Sequence, residues 1–256
     1  MSRPTYFDKY ATIAFERDAQ GILVMRLHSD NGPVVYTPQH HADWTGAFYD
    51  VGVDRDNAVV IITGTGDTFI DDIAWDKDAA RPLQWEDVHA EGKRLMRNLL
   101  DIEVPVIGAV NGPATIHAEL ACLSDITLAA EEATFQDKPH IPFHTVPGDG
   151  VHIVWQELLG TNRGRYFLLT GQVLDARQAL DWGVVNEVLP RQRLMPRALE
   201  LARQLAALPP LTRRYARTAL IQRLKRLMDE NIGYGLALEG LAAVEMIAAR
   251  KEMAAK

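Results

Sequence analysis

A proline-rich segment carries a histidine and an aspartate that could together perform acid–base chemistry. Residues 137–150 hold three prolines and two glycines and show neither strand nor helix periodicity. Imidazole titrates near neutral pH, and a carboxylate on its far ring nitrogen fixes the tautomer and stabilises the imidazolium. His140 and Asp149 are therefore candidates for a general base and its orienting carboxylate. In the alternative, Asp149 caps the helix that follows Gly150 in a solvated loop, and the spacing alone favours that interpretation.

Two further side chains stand in unusual surroundings. His117 lies where a strand ends at Gly112-Pro113 and a helix begins, a place where side chains face a crevice in α/β proteins. It is either a site residue or a capping or packed histidine. Glu239 is the acidic residue of an otherwise apolar helical stretch, and a buried carboxylate without a partner is costly. It either meets a partner or faces water.

Other kinds of site are weakly supported. His140 and His144 have the spacing of a zinc pair on a helix, but Pro142 between them argues against a helix, and we expect no metal. Residues 63–66 lack the third glycine of a dinucleotide loop. The basic stretch between Arg213 and Arg226 is interpreted as a solvated helix face or a subunit contact, with an anionic ligand or RNA as the alternative.

Composition limits the class of protein. The 256 residues are 47% hydrophobic and carry a formal net charge of −7, which excludes a mainly disordered chain and argues against a general nucleic-acid binder. Cys122 is the single cysteine, so the chain can form no internal disulfide. The first residues do not resemble a signal peptide, and no apolar run is long enough to cross a bilayer. We expect a soluble, cytoplasmic protein that binds neither nucleic acid nor membrane.

The elements that must position these side chains alternate between strand and helix and then become mostly helical. This order predicts an α/β protein with a C-terminal helical extension. Strands are predicted at 11–15, 22–27, 57–63, 104–110, 125–130, 133–136 and 184–189, and helices at 38–53, 85–102 and 119–123.

Several of these segments, in this order, resemble the crotonase (enoyl-CoA hydratase/isomerase) superfamily. The matching segments are 104–112, 119–121, 147–150, 169–171 and 183–188, within a resemblance that runs from about Tyr10 to about Val244. The resemblance implies a ββα spiral core over 1–190 and a C-terminal helical trimerisation region over 191–256. It also implies homotrimers or dimers of trimers.

The chain departs from the CoA-dependent members of that superfamily. Ile116-His117 stands where those members have a glycine pair that helps to hold a thioester oxyanion, and His140 follows Pro139 where they have their second glutamate. Their other oxyanion segment falls on the bulky residues 69–73. Glu119 matches their first glutamate, so a CoA-thioester hydratase or isomerase that uses Glu119 is the alternative function.

The departures resemble one branch of the superfamily, the β-diketone hydrolases of the 6-oxocamphor hydrolase type. The segments that carry this likeness are 134–137, 139–140, 146–150, 162–171, 213–217 and the surroundings of Glu239. The resemblance assigns the branch's histidine–aspartate dyad to His140 and Asp149 and its second histidine to His117. Its C-terminal glutamate falls on Glu239, and a further site histidine on His41. Two positions differ: Tyr36 replaces a tryptophan donor, and His144 replaces a glycine.

The resemblance implies retro-Claisen hydrolysis of a small, apolar 1,3-diketone without a cofactor. His140 would activate water, while His117 and Tyr36 would stabilise the oxyanions. Glu239 would orient its neighbours. The candidate pocket residues are Phe69, Trp75, Phe143 and Trp155, each with plain core packing as its alternative. A third function remains open, a non-catalytic scaffold that binds an anionic partner through 213–226.

Overall fold

A twisted sheet forms the centre of the molecule in the computed structural model, which describes residues 3–74 and 85–254. Its strands are β1 (Ile13–Arg17), β2 (Ile22–Leu27), β4 (Val59–Thr63), β6 (Val106–Val110), β7 (Ile126–Ala130) and β10 (Glu187–Leu189), adjacent in that order. Short strands form two separate pairs: β3 (Val35–Tyr36) with β5 (Asp72–Ile73), and β8 (Thr134–Phe135) with β9 (Leu174–Asp175). The β1–β2 hairpin is antiparallel and the other pairs of the central sheet are parallel, so the parallel strands end at one common edge.

Helices cover both faces of this sheet. They are α1 (Pro38–Val53), α2 (Trp85–Asp101), α3 (Glu119–Cys122), α4 (Val151–Leu159), α5 (Thr161–Thr170), α6 (Ala176–Asp181), α7 (Arg191–Ala206), α8 (Pro210–Leu220) and α9 (Gln222–Ala254). Short 3-10 turns occupy Thr5–Asp8 and Ile141–Phe143. The predicted strand–helix alternation and the helical C-terminal part are confirmed.

The buried strands β4 and β6 divide the core into two layers. Every residue of β4 is buried, as is typical of parallel strands covered on both faces. Because side chains alternate along a strand, Val59 and Ile61 pack with α7, whereas Val60 and Ile62 join the larger cluster that includes α1 and α2. The elements that carry the candidate site belong to this second layer.

The last predicted strand is shorter than expected. It was predicted over 184–189, but β10 begins only at Glu187. The backbone N–H groups of Val184 and Val185 both donate to the carbonyl of Ala179, so these two residues close the turn after α6 and do not join the sheet.

The C-terminal helix α9 packs directly on the core. The Trp85 indole Nε1 of α2 donates to the Leu236 carbonyl at 3.2 Å. A Cβ on Gly240 would lie only 2.1 Å from that indole nitrogen, and a Cβ on Gly92 would touch Leu236. Within the described ranges, no helix is both long enough and apolar enough to cross a bilayer.

The basic stretch is only in part the solvated face that its sequence predicts: Arg223 and Arg226 are exposed, whereas Arg213 and Arg217 are buried. Arg217 is 2% exposed; its Nε donates to Asp125 at 2.7 Å, and its Nη1 donates to the carbonyls of Leu100 and Ile102. Arg213 is also buried and donates to two backbone carbonyls. Three other members of the stretch have partners within this chain: Arg214 with Glu103, Arg223 with Glu157 and Lys225 with Asp101. Because these basic side chains are bound within the chain, their clustering no longer favours an anionic partner.

We expect Arg217→Ala to lower the free energy of unfolding by about 3 kcal/mol, because it leaves Asp125 and two backbone carbonyls without their cation. Arg223→Ala is the matched control. It removes an exposed ion pair with Glu157 and should leave the unfolding midpoint nearly unchanged. Urea denaturation followed by circular dichroism measures both effects. Equal losses in the two variants would contradict the structural role given to Arg217.

Candidate active site

Ionisable side chains from distant parts of the chain meet on the α1–α2 side of the sheet. His117 and Glu119 stand at the start of α3, which follows β6. His140 precedes the 3-10 turn at Ile141–Phe143, and Asp149 lies two residues before α4. Glu239 comes from the middle of α9. The structure therefore brings together the residues predicted to be catalytic.

His140 lies between carboxylates on both sides of its ring. Its Nδ1 lies 2.6 Å from Asp137 Oδ1, while its Nε2 lies 3.6 Å from Asp149 Oδ2 and 3.6 Å from Glu239 Oε1. The sequence interpretation placed Asp149 on the far nitrogen, and that placement is wrong because Asp137 occupies it. Asp137 precedes His140 by three residues, within reach of one turn, and this Asp-x-x-His spacing is the signal that the sequence reasoning missed.

The charges of this group depend on one another. Burial disfavours a charged His140, but the carboxylates of Asp137 and Asp149 outweigh burial and raise the pKa of the imidazole well above its ordinary value. Burial also disfavours a charged Asp149, yet the facing rings of His140 and His117 lower the pKa of that carboxyl. Burial raises the pKa of Glu239. The cluster thus favours an imidazolium at His140 and a carboxylate at Asp149.

His117 has a strained backbone. Its φ of 47° lies in the left-handed region, which favours glycine, and the CoA-dependent relatives carry their glycine pair at this place. The side chain gains close contacts in return: Nδ1 lies 2.6 Å from Glu119 Oε1 and 3.9 Å from Asp149 Oδ2. Although burial opposes the charge, Glu119 raises the pKa of the His117 imidazole. Glu119 is itself 1% exposed and is held by this histidine.

Asp149 contacts both the start of α4 and the histidine cluster. Its Oδ1 accepts the backbone N–H of Val151 at 3.4 Å, a long contact at the start of α4. Its Oδ2 faces the rings of His140 and His117. The carboxylate is therefore held from the helix side while its other oxygen points into the cluster.

Tyr36 and His41 border the cluster. The ring centroids of Tyr36 and His117 are 4.7 Å apart. Burial and the nearby carboxylates raise the pKa of Tyr36 well above its ordinary value, so the phenol stays protonated and can donate a hydrogen bond. The His41 ring lies 6.1 Å from that of His117, and its Nδ1 contacts Glu91 at 3.2 Å. Burial lowers the pKa of His41.

The predicted pocket aromatics are placed differently. Phe69 and Trp155 are fully buried in the hydrophobic core, and the Trp155 ring packs against Phe167 with 4.3 Å between centroids. Plain core packing, the alternative interpretation, describes these two residues. Phe143 is half-buried, and Trp75 lies outside the described residues.

His144 lies apart from the cluster. It is exposed and ends the 3-10 turn with a φ of 63°, a left-handed conformation that explains why the resemblance expects glycine there.

A close contact between two glycines brings α9 to the loop at 137–150. A Cβ on Gly148 would lie 2.2 Å from the Gly235 carbonyl oxygen, and a Cβ on Gly235 would lie 2.3 Å from the Gly148 carbonyl oxygen. The two backbones therefore touch where Asp149 follows Gly148 and where Glu239 lies one turn beyond Gly235. This close approach is what allows a helix from the end of the chain to contribute to the site.

The backbone around the former oxyanion segments is occupied. The N–H groups of Thr115 and Ile116 both donate to the Ile70 carbonyl, at 2.9 and 3.2 Å. The Thr115 hydroxyl donates to Asp71 Oδ1 at 2.7 Å, and Lys138 Nζ donates to the Asp71 carbonyl at 3.0 Å. The Ile116 amide, where the resemblance places the oxyanion-holding glycine pair of the CoA-dependent members, is therefore already bonded within the chain.

Two overlapping groups have the ligand proximity that a metal ion needs. His117, Glu119 and Asp149 form one, and His140, Asp149 and Glu239 form the other, with ligand atoms within 4.8 Å of one another in each group. In the first, the 2.6 Å contact between His117 and Glu119 is a hydrogen bond and would have to break for both atoms to bind one ion. The absence of a metal stays a prediction.

Comparison with known sequences finds a matching family model and several similar enzymes. The sequence model of the family described as enoyl-CoA hydratase/isomerase matches residues 17–235. Carnitinyl-CoA dehydratases from Citrobacter koseri and Salmonella enteritidis are 37% identical over 161 residues and 36% identical over 168 residues. These matches cover 62% and 64% of this chain, and they span 61% and 64% of the length of those relatives.

Solved structures extend the comparison over nearly the whole chain. A β-diketone hydrolase from the cyanobacterium Anabaena sp. PCC 7120, bound to (S)-3-oxocyclohexyl acetic acid, is 50% identical, with a TM-score of 0.92 and coverage of 96% of this chain and 99% of that one. An enoyl-CoA hydratase/isomerase from Pseudoalteromonas atlantica T6c is 20% identical, with a TM-score of 0.80 and coverage of 94% and 97%, and shows the shared fold alone. The expected crotonase fold is confirmed.

The strain at His117 can be measured with a pair of variants. His117→Ala and His117→Gly both remove the imidazole and leave Glu119 without its partner, but only glycine relieves the left-handed backbone. We expect His117→Gly to be more stable than His117→Ala by about 1 kcal/mol in urea denaturation. A glycine variant that is equally or less stable would show that the positive φ costs little here.

Proposed function

This chain belongs to the enoyl-CoA hydratase/isomerase family, and from that premise we propose that it is a β-diketone hydrolase, which uses water to cleave a carbon–carbon bond of a cyclic 1,3-diketone without CoA. The observation that carries the proposal is the His140 imidazole between Asp137 on one nitrogen and Asp149 and Glu239 at the other, with His117 beside it. The likeness to the Anabaena β-diketone hydrolase supports it.

The same site argues against thioester chemistry. Glu119, which matches the first glutamate of the CoA-dependent members, is buried in a 2.6 Å contact with His117 and is not free to act on a substrate. His140 occupies the place of their second glutamate. The Ile116 amide donates to Ile70, so a thioester oxygen would have to displace that bond. The carnitinyl-CoA dehydratases are similar to this chain, yet these residues favour a different reaction.

In the first step, water attacks one carbonyl carbon of the diketone and gives its proton to Asp149. This assignment changes the role expected from sequence, in which His140 was the base. The carboxylates around the ring favour the imidazolium, which has no free lone pair to accept a proton, whereas Asp149 stays ionised. Positioned acids and bases of this kind contribute about 10²–10⁴-fold to a rate.

In the second step, the bond between the attacked carbon and the middle carbon breaks, and its electron pair forms an enolate on the other carbonyl. His117 and Tyr36 would donate hydrogen bonds to the developing oxyanions, and one such donor is worth about 3 kcal/mol. His140 then delivers its Nε2 proton to the enolate carbon. The proton held by Asp149 returns to His140 across their 3.6 Å separation, which restores the site.

The expected substrate is small and apolar apart from its two oxygens. Its middle carbon must be unable to ionise, because a diketone that enolises would resist attack by water. The Anabaena enzyme binds (S)-3-oxocyclohexyl acetic acid, a keto acid. Adding water across one carbon–carbon bond of bicyclo[2.2.2]octane-2,6-dione yields a keto acid of this constitution, so this bicyclic diketone is the first substrate to test.

We further propose that the C-terminal helices form contacts in a homotrimer or dimer of trimers. Leu211 and Tyr215 of α8 and Tyr234 and Leu241 of α9 are all largely exposed, and large apolar side chains on neighbouring helices favour a subunit contact. Sedimentation equilibrium measures the assembly, and a monomer at micromolar concentration would contradict this proposal.

We expect the purified chain to hydrolyse bicyclo[2.2.2]octane-2,6-dione without CoA, as measured by loss of the diketone and appearance of the keto acid on chiral chromatography. Asp149→Asn should lower kcat by about 10²–10⁴-fold, because it removes the base without changing the shape of the site. The control is His144→Gly, an exposed position outside the cluster, which should keep wild-type kcat. Hydration of crotonyl-CoA with no diketone turnover would favour the thioester alternative instead.

A further inference from the structure

Asp137 is a buried carboxylate of the site that takes no part in the proposed hydrolysis steps. Asp137 is 3% exposed, and its Oδ1 forms the 2.6 Å contact with His140 Nδ1. Its Oδ2 is buried and has no hydrogen-bond partner among the described residues. An ionised oxygen in that position is costly unless a nearby cation compensates for it. The doubly protonated His140 ring, in contact with Asp137, would be that cation.

We propose that Asp137 is the positioning residue of this site: it fixes the orientation of the His140 ring through Nδ1 and keeps that ring doubly protonated, so that the Nε2–H faces Asp149 and Glu239. The inference rests on the proposed function for the use of that proton, and it adds a residue whose role neither the sequence motifs nor the family resemblance had assigned.

Distances single out Asp137 from the other carboxylates. At 2.6 Å its oxygen is within charge-assisted hydrogen-bond range of Nδ1, whereas Asp149 and Glu239 both stand 3.6 Å from Nε2, beyond that range. The ring is therefore anchored at Nδ1, whereas its Nε2 proton is held less closely and is the one available for transfer.

Several charged or titratable groups face His140, and their signs must be considered together. They are Asp137 of the same loop, Asp149 before α4, Glu239 of α9, His117 before α3 and His152 of α4. The two histidines disfavour a second positive charge, while the carboxylates favour it. Removing the closest carboxylate should shift this balance the most.

Asp137→Asn is the decisive variant because it keeps the size of the side chain and an oxygen that can accept from Nδ1, but removes the charge. Loss of that charge lowers the pKa of His140, so the imidazolium is lost at a lower pH than in the wild type. The basic limb of the kcat/KM profile should therefore move to lower pH, and kcat at pH 8 should fall by at least 10-fold. KM should change little, since Asp137 contacts Nδ1 and not the Nε2 proton that the proposed reaction uses.

Acidification distinguishes this role from a merely structural one. If Asp137 acts by keeping the proton on His140, lowering the pH restores the imidazolium in Asp137→Asn, and the ratio of wild-type to variant kcat shrinks as the pH falls. If Asp137 only stabilises the conformation of the loop, that ratio stays constant with pH. Glu131→Gln, which neutralises an exposed carboxylate at the end of β7, is the matched control and should keep the wild-type profile.

A second measurement needs no turnover. In ¹⁵N-labelled wild-type protein, nuclear magnetic resonance should show a doubly protonated His140 at pH 7, assigned by the loss of its signals in His140→Gln. A neutral His140 ring at pH 7, or an Asp137→Asn profile that superimposes on the wild type, would overturn the inference. A protonated ring in an enzyme that cleaves no diketone would instead leave the role of Asp137 intact and refute the proposed function.

Discussion

The site depends on the electrostatic balance between a buried imidazole and the carboxylates that surround it. Neither partner could be buried alone, because an isolated charge in the protein interior is far more costly than one in water. Asp137 contacts His140 at one nitrogen, while Asp149 and Glu239 stand at the other. Each group stabilises the charge of the other, so an imidazolium and a carboxylate can stand side by side in the protein interior.

Much of the surrounding structure serves to assemble these charges. The parallel strands deliver the start of α3 to the common edge of the sheet, and the Gly148–Gly235 contact lets α9 approach closely enough to contribute Glu239. The backbone of His117 bears strain that a glycine would avoid, in exchange for an imidazole within the cluster. Arg217 holds α8 on the core through Asp125, so the C-terminal helices are tied to the sheet by buried polar bonds as well as by apolar packing.

The same fold can support thioester or diketone chemistry, and a small number of positions separate the two. At the position that the resemblance matches to the oxyanion glycines of the CoA-dependent members, this chain bonds the Ile116 amide to Ile70. His140 stands where the resemblance places the second glutamate of the CoA-dependent members. In the proposed reaction, side-chain donors and a carboxylate base would replace that backbone oxyanion site, as suits a substrate with two carbonyls and no CoA moiety. The similarity to carnitinyl-CoA dehydratases over part of the chain reflects the scaffold of the shared family.

The sequence by itself determined the α/β order, the β1–β2 hairpin, the buried strands and the segments from which His117, His140, Asp149 and Glu239 come. Hydrophobic periodicity and turn residues are local signals, and the ordered family motifs supplied the rest. Only the tertiary structure decided which carboxylate meets which nitrogen of His140, and that Arg213 and Arg217 are buried. Those outcomes depend on distances of a few tenths of an ångström between segments far apart in the chain. Side-chain direction within a proline-broken loop has no period from which it could be predicted.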